Sequence, residues 1–362
     1  MKISNWIYVP VLIILAFIAW YFKAIIGYIL VAGIISLIGQ PIIRFLLNIE
    51  VKSRKMPPAM AAFLTISGLL ALFVSLVSMF VPMVIEEARK LSKVKVEDVI
   101  KNIQGPVQTI QDYINQFGLT QEPILIETEV KRILTNLFDF TALGDSLQYA
   151  LGLTGDVFIA SFSITFITFF FLKDQGLFKN MIMTIVPTEY EARFGKVLHK
   201  SKELLTRYFI GVIIEVCIIM AVISIGLSLL GVDNAILIGF IAGLFNVIPY
   251  VGPLIGAAIG ITIGVSTNID GLALMGILGL MGKMALVYTG AQLLDNIVLQ
   301  PIIYSQSVKA HPLEIFLVII MAGNVAGIAG MILAVPTYSI GRVFIGEFFN
   351  QFKMVKALTS EV

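Results

Sequence analysis

The stretch that decides the fold reads Gly243-Leu-Phe-Asn246-Val-Ile-Pro249-Tyr250-Val-Gly252-Pro253-Leu-Ile-Gly256. Long apolar runs flank it on both sides, but its centre holds two prolines, an asparagine and several glycines. Pro249 and Pro253 each lack an N–H group, and each disfavours helical geometry at the preceding residue. The sequence therefore predicts two helical arms, 234–248 and 253–267, that are joined by a turn at 249–252.

The length of these arms suggests how they would sit in a membrane. Each has about 15 residues and a length of about 22 Å, which is shorter than the roughly 30 Å hydrocarbon core. A backbone break in hydrocarbon is tolerated only where protein or a water-filled cavity surrounds it. These lengths favour a re-entrant hairpin, with two full crossings as the alternative.

The composition identifies the broad class of protein. Of the 362 residues, 58% are hydrophobic and only 13% are charged, whereas a soluble domain carries about 25% charged residues. The chain is therefore predicted to be an all-α, polytopic membrane protein. Its net charge of +2 gives no reason to expect a nucleic-acid partner.

Several kinds of chemistry lack the residues that they need. Cys217 is the single cysteine, so there is no disulfide framework or thiolate metal site. His199 and His311 have no companion ligands nearby in the sequence. The chain has no P-loop, no G-x-S-x-G and no H-E-x-x-H motif. We expect no metal, no cofactor and no enzymatic activity.

Hydropathy and charge divide the chain into five parts. About six full spans plus two re-entrant hairpins are predicted, or eight spans. Basic links near 52–55 and 173–207 indicate the cytoplasmic side, which places both termini in the cytoplasm. The parts are three N-terminal spans (1–85), an extramembrane region of amphipathic helices (86–150), a span with a basic cytoplasmic linker (151–206), a transport core (207–346) and a cytoplasmic tail (347–362).

The core contains the same pattern twice. A span followed by a broken apolar stretch occupies 207–267, and the pattern recurs over 271–346. The second stretch is predicted to break at Gly323-Asn324-Val-Ala-Gly327-Ile-Ala-Gly330 and again at Pro336. The charge rule gives the two units opposite orientations, which is the inverted-repeat plan of many secondary transporters.

Two acidic residues lie inside apolar runs of the core, Glu215 and Asp295. Intramembrane carboxylates are costly and mark ion or substrate paths; hydrogen bonding between helices is the alternative role. Gln292 and Asp295 fall on one helical face with Tyr288. Other candidates for substrate or ion binding are Asn296, Gln292, Asn246, Asn324 and Lys283.

Lys283 lies in the same span as Asp295 and could pair with either carboxylate or extend towards the interface. Asn246 and Asn324 stand beside the predicted breaks, where their amides would bind a polar solute or satisfy broken backbone. We expect the first hairpin tip to meet Asp295. Candidate gate residues at the two tips are Pro249, Tyr250, Gly252, Pro253, Gly323, Gly327 and Gly330, for which close helix packing is the alternative role.

At these residues the chain resembles the autoinducer-2 exporter (AI-2E) family of prokaryotic membrane proteins, over roughly 150–345. Glu215 has no place in the family pattern. The shared motifs are Phe169-Phe-Phe-Leu-Lys173-Asp174, Arg207-Tyr208 with Gly211, the opening stretch, Asp295-Asn296-x-x-Leu-Gln-Pro301, His311-Pro312-Leu313, and Gly327-x-x-Gly330 through Ala334-Val-Pro336.

The resemblance implies a carrier in the prokaryotic cytoplasmic membrane that forms a homo-oligomer in the lipid bilayer. The leading hypothesis is a secondary transporter that exports a small polar solute, such as an autoinducer-2-like signal, coupled to an ion gradient. A Na⁺(Li⁺)/H⁺ antiporter with a monovalent cation as substrate is the alternative. A membrane scaffold or regulator that works through 86–150 is the second alternative.

Overall fold

The computed structural model describes residues 17, 20–51, 54–93, 154–174, 176–268, 274–304 and 311–349. The predicted first span, most of 86–150 and most of the C-terminal tail lie outside these residues. The elements are α1 (Lys23–Leu47), β1 (Glu50–Val51), β2 (Arg54–Lys55), α2 (Pro58–Lys93), α3 (Thr154–Lys173), α4 (Leu177–Ile185), a 3₁₀ turn (Thr188–Tyr190), α5 (Glu191–Leu229), α6 (Ala235–Phe245), α7 (Val251–Thr267), α8 (Leu274–Leu294), a π-helical turn (Asp295–Leu299), α9 (Gln300–Tyr304) and α10 (Pro312–Phe348).

The long helices confirm an all-α, polytopic membrane protein. Six described helical segments are long and apolar enough to cross a bilayer. Many of their large apolar side chains point outwards; Phe158, for example, is 70% exposed. Such exposure fits contact with lipid, because hydrocarbon does not drive these side chains into the protein interior. The one described sheet is the small hairpin in which β1 pairs antiparallel with β2.

The chain forms two compact units. The first contains residues 1–74, 153–209 and 343–360, and the second contains 75–152, 210–342 and the last two residues. Ile43 of α1, Ile66 of α2 and Leu172 of α3 pack together in the first unit. All the candidate site residues fall in the second unit.

The first predicted break is present in the second unit, where α6 and α7 form a helical hairpin, here called hairpin 1; its re-entrant placement in the membrane stays a prediction. Its arms begin and end near the predicted positions, but the turn falls at 246–250. Helix α7 begins at Val251, because Pro253 then lies in its first turn, where a missing N–H group costs nothing. The arms have 11 and 17 residues.

Glycines hold hairpin 1 close to its neighbours. A Cβ atom on Gly239 or Gly243 of α6 would overlap the backbone of α5 at Met220 or Val216. On α7, Gly260 faces Tyr288 and Gly264 faces Met284, both of α8. Small residues at a four-residue spacing allow this close approach of helices in membranes.

Helix α10 is folded back on itself and forms a second hairpin, here called hairpin 2. Its backbone leaves helical geometry at Ala326 and Gly327. A Cβ atom on Gly330 would overlap Ala322, and Tyr338 donates a hydrogen bond to Glu314. In a straight helix, residues 24 positions apart would be about 36 Å apart. Pro336, a predicted break, instead lies within regular helix.

Candidate functional site

The tip of hairpin 1 is fastened to a buried carboxylate on α5. Asn246 follows the last residue of α6, and its Nδ2 donates a 3.0 Å hydrogen bond to Oε1 of Glu215. The exposed fractions are 2% for Glu215 and 5% for Asn246. A hydrogen bond to a charged group contributes about 1.5–3 kcal/mol. The bond therefore fixes the tip of hairpin 1 against α5.

The hairpin 1 tip has an unusual backbone at Tyr250. Its φ of 65° and ψ of −49°, together with the 2.8 Å hydrogen bond from Val251 N–H to Pro249 O, form a γ-turn of the rare, strained type. Gly252 follows, and a Cβ atom there would overlap the carbonyl oxygen of Phe245. Strained backbone of this kind is found at functional sites.

The Tyr250 ring also contacts hairpin 2. It lies edge-on to the Phe316 ring, with the centroids 6.1 Å apart. Phe316 is one turn from the start of α10. The tip of hairpin 1 therefore lies beside the base of hairpin 2.

Asp295 occupies a distorted part of its helix. It begins the five-residue π-helical turn, a feature that is rare and frequently found at functional sites. Its side chain is 1% exposed. Oδ2 accepts a 2.8 Å hydrogen bond from Gln300 Nε2, whereas Oδ1 is buried and has no hydrogen-bond partner in the described part of the chain.

Asp295 belongs to a series of hydrogen-bonded polar side chains along this helix. Gln300 Nε2 also reaches Oδ1 of Asn296 at 3.2 Å, and Gln292 Nε2 donates to the same oxygen at 3.0 Å. Gln292 and Gln300 are half-buried and Asn296 is exposed. Gln300 was not among the predicted site residues, although the Leu-Gln-Pro301 motif contains it.

The helix register relates the two carboxylates. Gly226 faces Val287 and Gly211 faces Ile303, so α5 runs antiparallel to α8 and α9. By this register Glu215 lies opposite residues 298–299, which is about one turn, or 5 Å, from Asp295. The two acids therefore lie at nearly the same level of the bundle.

The register of α7 against α8 bears on the prediction that the tip of hairpin 1 meets Asp295. Gly264 faces Met284, and Tyr288 Oη donates a 3.3 Å hydrogen bond to Gly256 O. Continued for two turns, this antiparallel register brings Asp295 to about the level of Gly252. Direct contact stays a prediction; the observed carboxylate partner of the tip is Glu215.

The tip of hairpin 2 differs from that of hairpin 1. Asn324 and Gly327 are exposed, and Val325 is 87% exposed. Gly323 and Gly330 pack inside the hairpin, where Met331 and Ala322 occupy the space beside them. Asn324 makes no hydrogen bond with the residues that the structure describes.

Two further polar residues, Lys283 and Glu87, differ in their surroundings. Lys283 is exposed on α8, and within the described ranges no ion pair joins it to Glu215 or Asp295. Glu87 of α2, which sequence reasoning placed in the extramembrane region, is only 3% exposed. It accepts a 2.8 Å hydrogen bond from Asn234, just before α6. Hairpin 1 is therefore attached to a buried acid at its base as well as its tip.

The side chains of the candidate site limit the chemistry that it can perform. Among the described residues there is no cluster of three His, Cys, Asp or Glu side chains that would hold a metal ion. The polar groups are instead two buried carboxylates and several amides beside broken helices. A carboxylate can hold a proton or a monovalent cation, and amides can bind hydroxyl or carbonyl groups.

Comparison with known proteins supplies the family context. The family model described as "AI-2E family transporter" matches residues 9–350. The Bacillus subtilis protein named "Putative transport protein YueF" is 27% identical over 335 residues, which cover 90% of this chain and 84% of that protein.

Two other relatives match about half of the chain. "Putative transport protein YrrI" of Bacillus subtilis is 31% identical over 196 residues, which cover 54% of this chain and 53% of the relative. "Putative permease PerM" of Escherichia coli K12 is 29% identical over 184 residues, which cover 50% of this chain and 49% of the relative.

Proposed function

The chain belongs to the AI-2E transporter family, and from that premise we propose that it is a secondary transporter of the prokaryotic cytoplasmic membrane. It exports a small polar solute of the autoinducer-2 type and couples this export to an ion gradient. The observation that carries the proposal is the pair of buried carboxylates, Glu215 and Asp295. By the register of α5 against α8 and α9 they lie at nearly the same level of the bundle, and Glu215 contacts the tip of hairpin 1.

The coupling rests on competition at a carboxylate. One oxygen of Asp295 is bound to Gln300, and the other, which has no hydrogen-bond partner in the described part of the chain, can bind a proton or a cation. One small site cannot hold both at once, so exchange of one for the other links their gradients. Buried acids in membrane proteins characteristically serve such paths.

The hairpins act as the gates. Asn246 closes hairpin 1 on Glu215, and protonation or cation binding at Glu215 would weaken this closure by competing for the carboxylate. In this arrangement both hairpins are re-entrant, both termini are cytoplasmic, and the protein works as a homo-oligomer.

A second candidate function uses the same residues. Exchange of Na⁺ or Li⁺ for protons needs only a carboxylate that binds either ion, and the free Oδ1 of Asp295 provides this without a solute site. The two functions differ in whether autoinducer-2 moves.

Flux through proteoliposomes tests the proposal. The purified protein is reconstituted, a proton gradient is imposed, and uptake or release of autoinducer-2, Na⁺ and Li⁺ is measured. Asp295→Asn should lower the coupled flux on the order of 100-fold, because an interaction with a charged group is worth up to about 3 kcal/mol. Asp156→Asn makes the same chemical change at an exposed residue of α3 and should leave flux unchanged.

The outcomes separate the candidates. Proton-dependent movement of autoinducer-2 supports export, and movement of Na⁺ or Li⁺ alone supports the antiporter. Absence of flux of every probe through the unaltered protein would overturn both candidates in favour of the scaffold alternative. Equal flux through Asp295→Asn and Asp156→Asn would remove Asp295 from the coupling role.

A further inference from the structure

We propose that Asn324, at the tip of hairpin 2, is a positioning residue that docks on the free oxygen of Asp295 in the alternate conformation of the protein. This contact would be the counterpart of the bond between Asn246 and Glu215. The inference deepens the proposed function, since it rests on the two hairpins being gates.

The first argument is the matching arrangement of the two span-plus-hairpin repeats, 207–267 and 271–346. In the first repeat, Glu215 precedes the tip residue Asn246 by 31 positions. In the second repeat, Asp295 precedes Asn324 by 29 positions. Each asparagine also lies about three helical turns after the start of its hairpin. Hairpin 1 begins at Ala235, and hairpin 2 begins at Pro312. Equal arm lengths bring the two amides to similar places relative to their own carboxylates.

The second argument is that the two repeats are in opposite states. The amide of Asn246 is buried and bonded to Glu215. Asn324 is exposed, and Oδ1 of Asp295 is buried without a hydrogen-bond partner among the described residues. The second repeat thus contains the donor and the acceptor of a contact that the first repeat has already made.

Physical chemistry favours completion of this contact. A buried carboxylate oxygen that lacks a donor is costly, and an amide N–H group is a suitable donor. Gln300 occupies only Oδ2, so Oδ1 can receive Asn324 without displacing it. A proton or cation on Oδ1 would compete with the amide, so docking and ion binding would exclude each other.

The break in hairpin 2 provides the freedom to move. The two non-helical residues, Ala326 and Gly327, lie two and three positions after Asn324, and residues 324–329 are all exposed. Hinge motions are absorbed by a few such residues at the ends of elements. When hairpin 1 is released from Glu215, hairpin 2 closes on Asp295, and the two gates alternate.

Cross-linking tests the docking while the carboxylate stays in place. In a Cys217→Ala background, Val325→Cys beside Asn324 is paired with Leu299→Cys, one turn from Asp295 on the buried face. A short bifunctional maleimide is applied to the full-length protein in proteoliposomes without solute or gradient. Asn246→Ala should raise the cross-linking rate about tenfold, because it removes one hydrogen bond to a charged group. Asn324→Ala, added to this variant, should return the rate to its starting value.

Two controls make the result decisive. Moving the second cysteine to Leu278, near the other end of α8, should give a low rate that neither alanine substitution changes. Asn324→Asp should also abolish the acceleration by charge repulsion, and the double variant Asp295→Asn/Asn324→Asp should restore it by reversing donor and acceptor.

A cross-linking rate that does not depend on Asn324, or a double variant without recovery, would overturn the inference. Because no transport is measured, the result does not depend on which solute or ion is carried. Docking without any flux would uphold this inference and contradict the proposed function; flux without docking would do the reverse.

Discussion

The two hairpins share a plan but differ in how their tips are made and held. Hairpin 1 turns through a strained γ-turn at Tyr250, and its tip is buried against Glu215. Hairpin 2 turns at Gly327, where φ is 58°, and its tip is exposed. Hairpin 2 is fastened at its base instead, by the hydrogen bond from Tyr338 to Glu314.

This difference shows that similar hydropathy does not imply a similar state. Both hairpins are apolar arms around a break, yet one break is part of the packed interior and the other lies outside it. Substitutions that affect one hairpin and spare the other therefore measure the asymmetry.

The largest loss of stability is expected from a substitution that disturbs the close contact of α6 with α5. Gly239→Ala introduces a Cβ atom that would overlap Ser224 and lie 2.7 Å from the backbone oxygen of Met220. Overpacking of this kind costs about 1–3 kcal/mol, occasionally more. We expect a lower midpoint of thermal unfolding in detergent micelles.

The control for Gly239→Ala is Gly290→Ala on α8, where nothing lies within 4 Å of the new atom. This variant should unfold at the same temperature as the unaltered protein or slightly above. Equal midpoints for the two alanine variants would mean that α6 does not depend on close contact with α5.

The second-largest loss of stability is expected at the tip of hairpin 1, and the same substitution at the tip of hairpin 2 provides the comparison. Asn246→Ala leaves buried Glu215 without its Asn246 donor, which should cost about 1.5–3 kcal/mol. Asn324→Ala makes the same change at an exposed tip, and its free energy of unfolding should lie within about 0.5 kcal/mol of that of the unaltered protein. Thermal unfolding of the two variants under the same conditions measures the difference. Equal destabilisation would contradict the observed difference between buried and exposed tips.

The smallest loss of stability is expected from a substitution in the turn of hairpin 2. Gly327→Ala forces a Cβ atom on a residue with φ of 58° and ψ of −142°, at a cost of about 1–2 kcal/mol. Because the turn is exposed, the surrounding chain can relax and absorb part of this strain. Gly341→Ala, within regular helix of the same element and with open space around it, is the control. A Gly327→Ala variant that unfolds together with this control would show that the turn does not require glycine.

The fold was predictable where local chemistry forces the backbone. The prolines and glycines around Pro249 predicted hairpin 1, and the glycines around Gly327 predicted the break in α10. The prediction of a break at Pro336 was wrong, because neighbouring groups can compensate for a proline within a membrane helix. The turn of hairpin 1 lies a few residues closer to Asn246 than predicted, because α7 begins at Val251 and Pro253 occupies the third position of its first turn instead of the first position.

The candidate site was predictable only in part. Glu215, Asn246 and Asp295 stood out because polar residues are rare in apolar runs, and all three are buried. Their pairing was not predictable, since the partner of Asn246 lies 31 positions away and depends on helix register. Gln300 and Glu87 were missed because each sits at the end of an apolar run, where a polar residue attracts no attention.

The sequence by itself determined that this is a multi-span helical protein with two broken apolar stretches, because hydropathy, proline and glycine act locally. Only the tertiary structure decided that Asn246 is held by Glu215, that one oxygen of Asp295 has no hydrogen-bond partner among the described residues, and that the two hairpin tips differ in burial. These features depend on which helices lie side by side and in what register. Glycines such as Gly239 and Gly260 set that register by allowing close approach, and their spacing alone does not identify the helix that they meet.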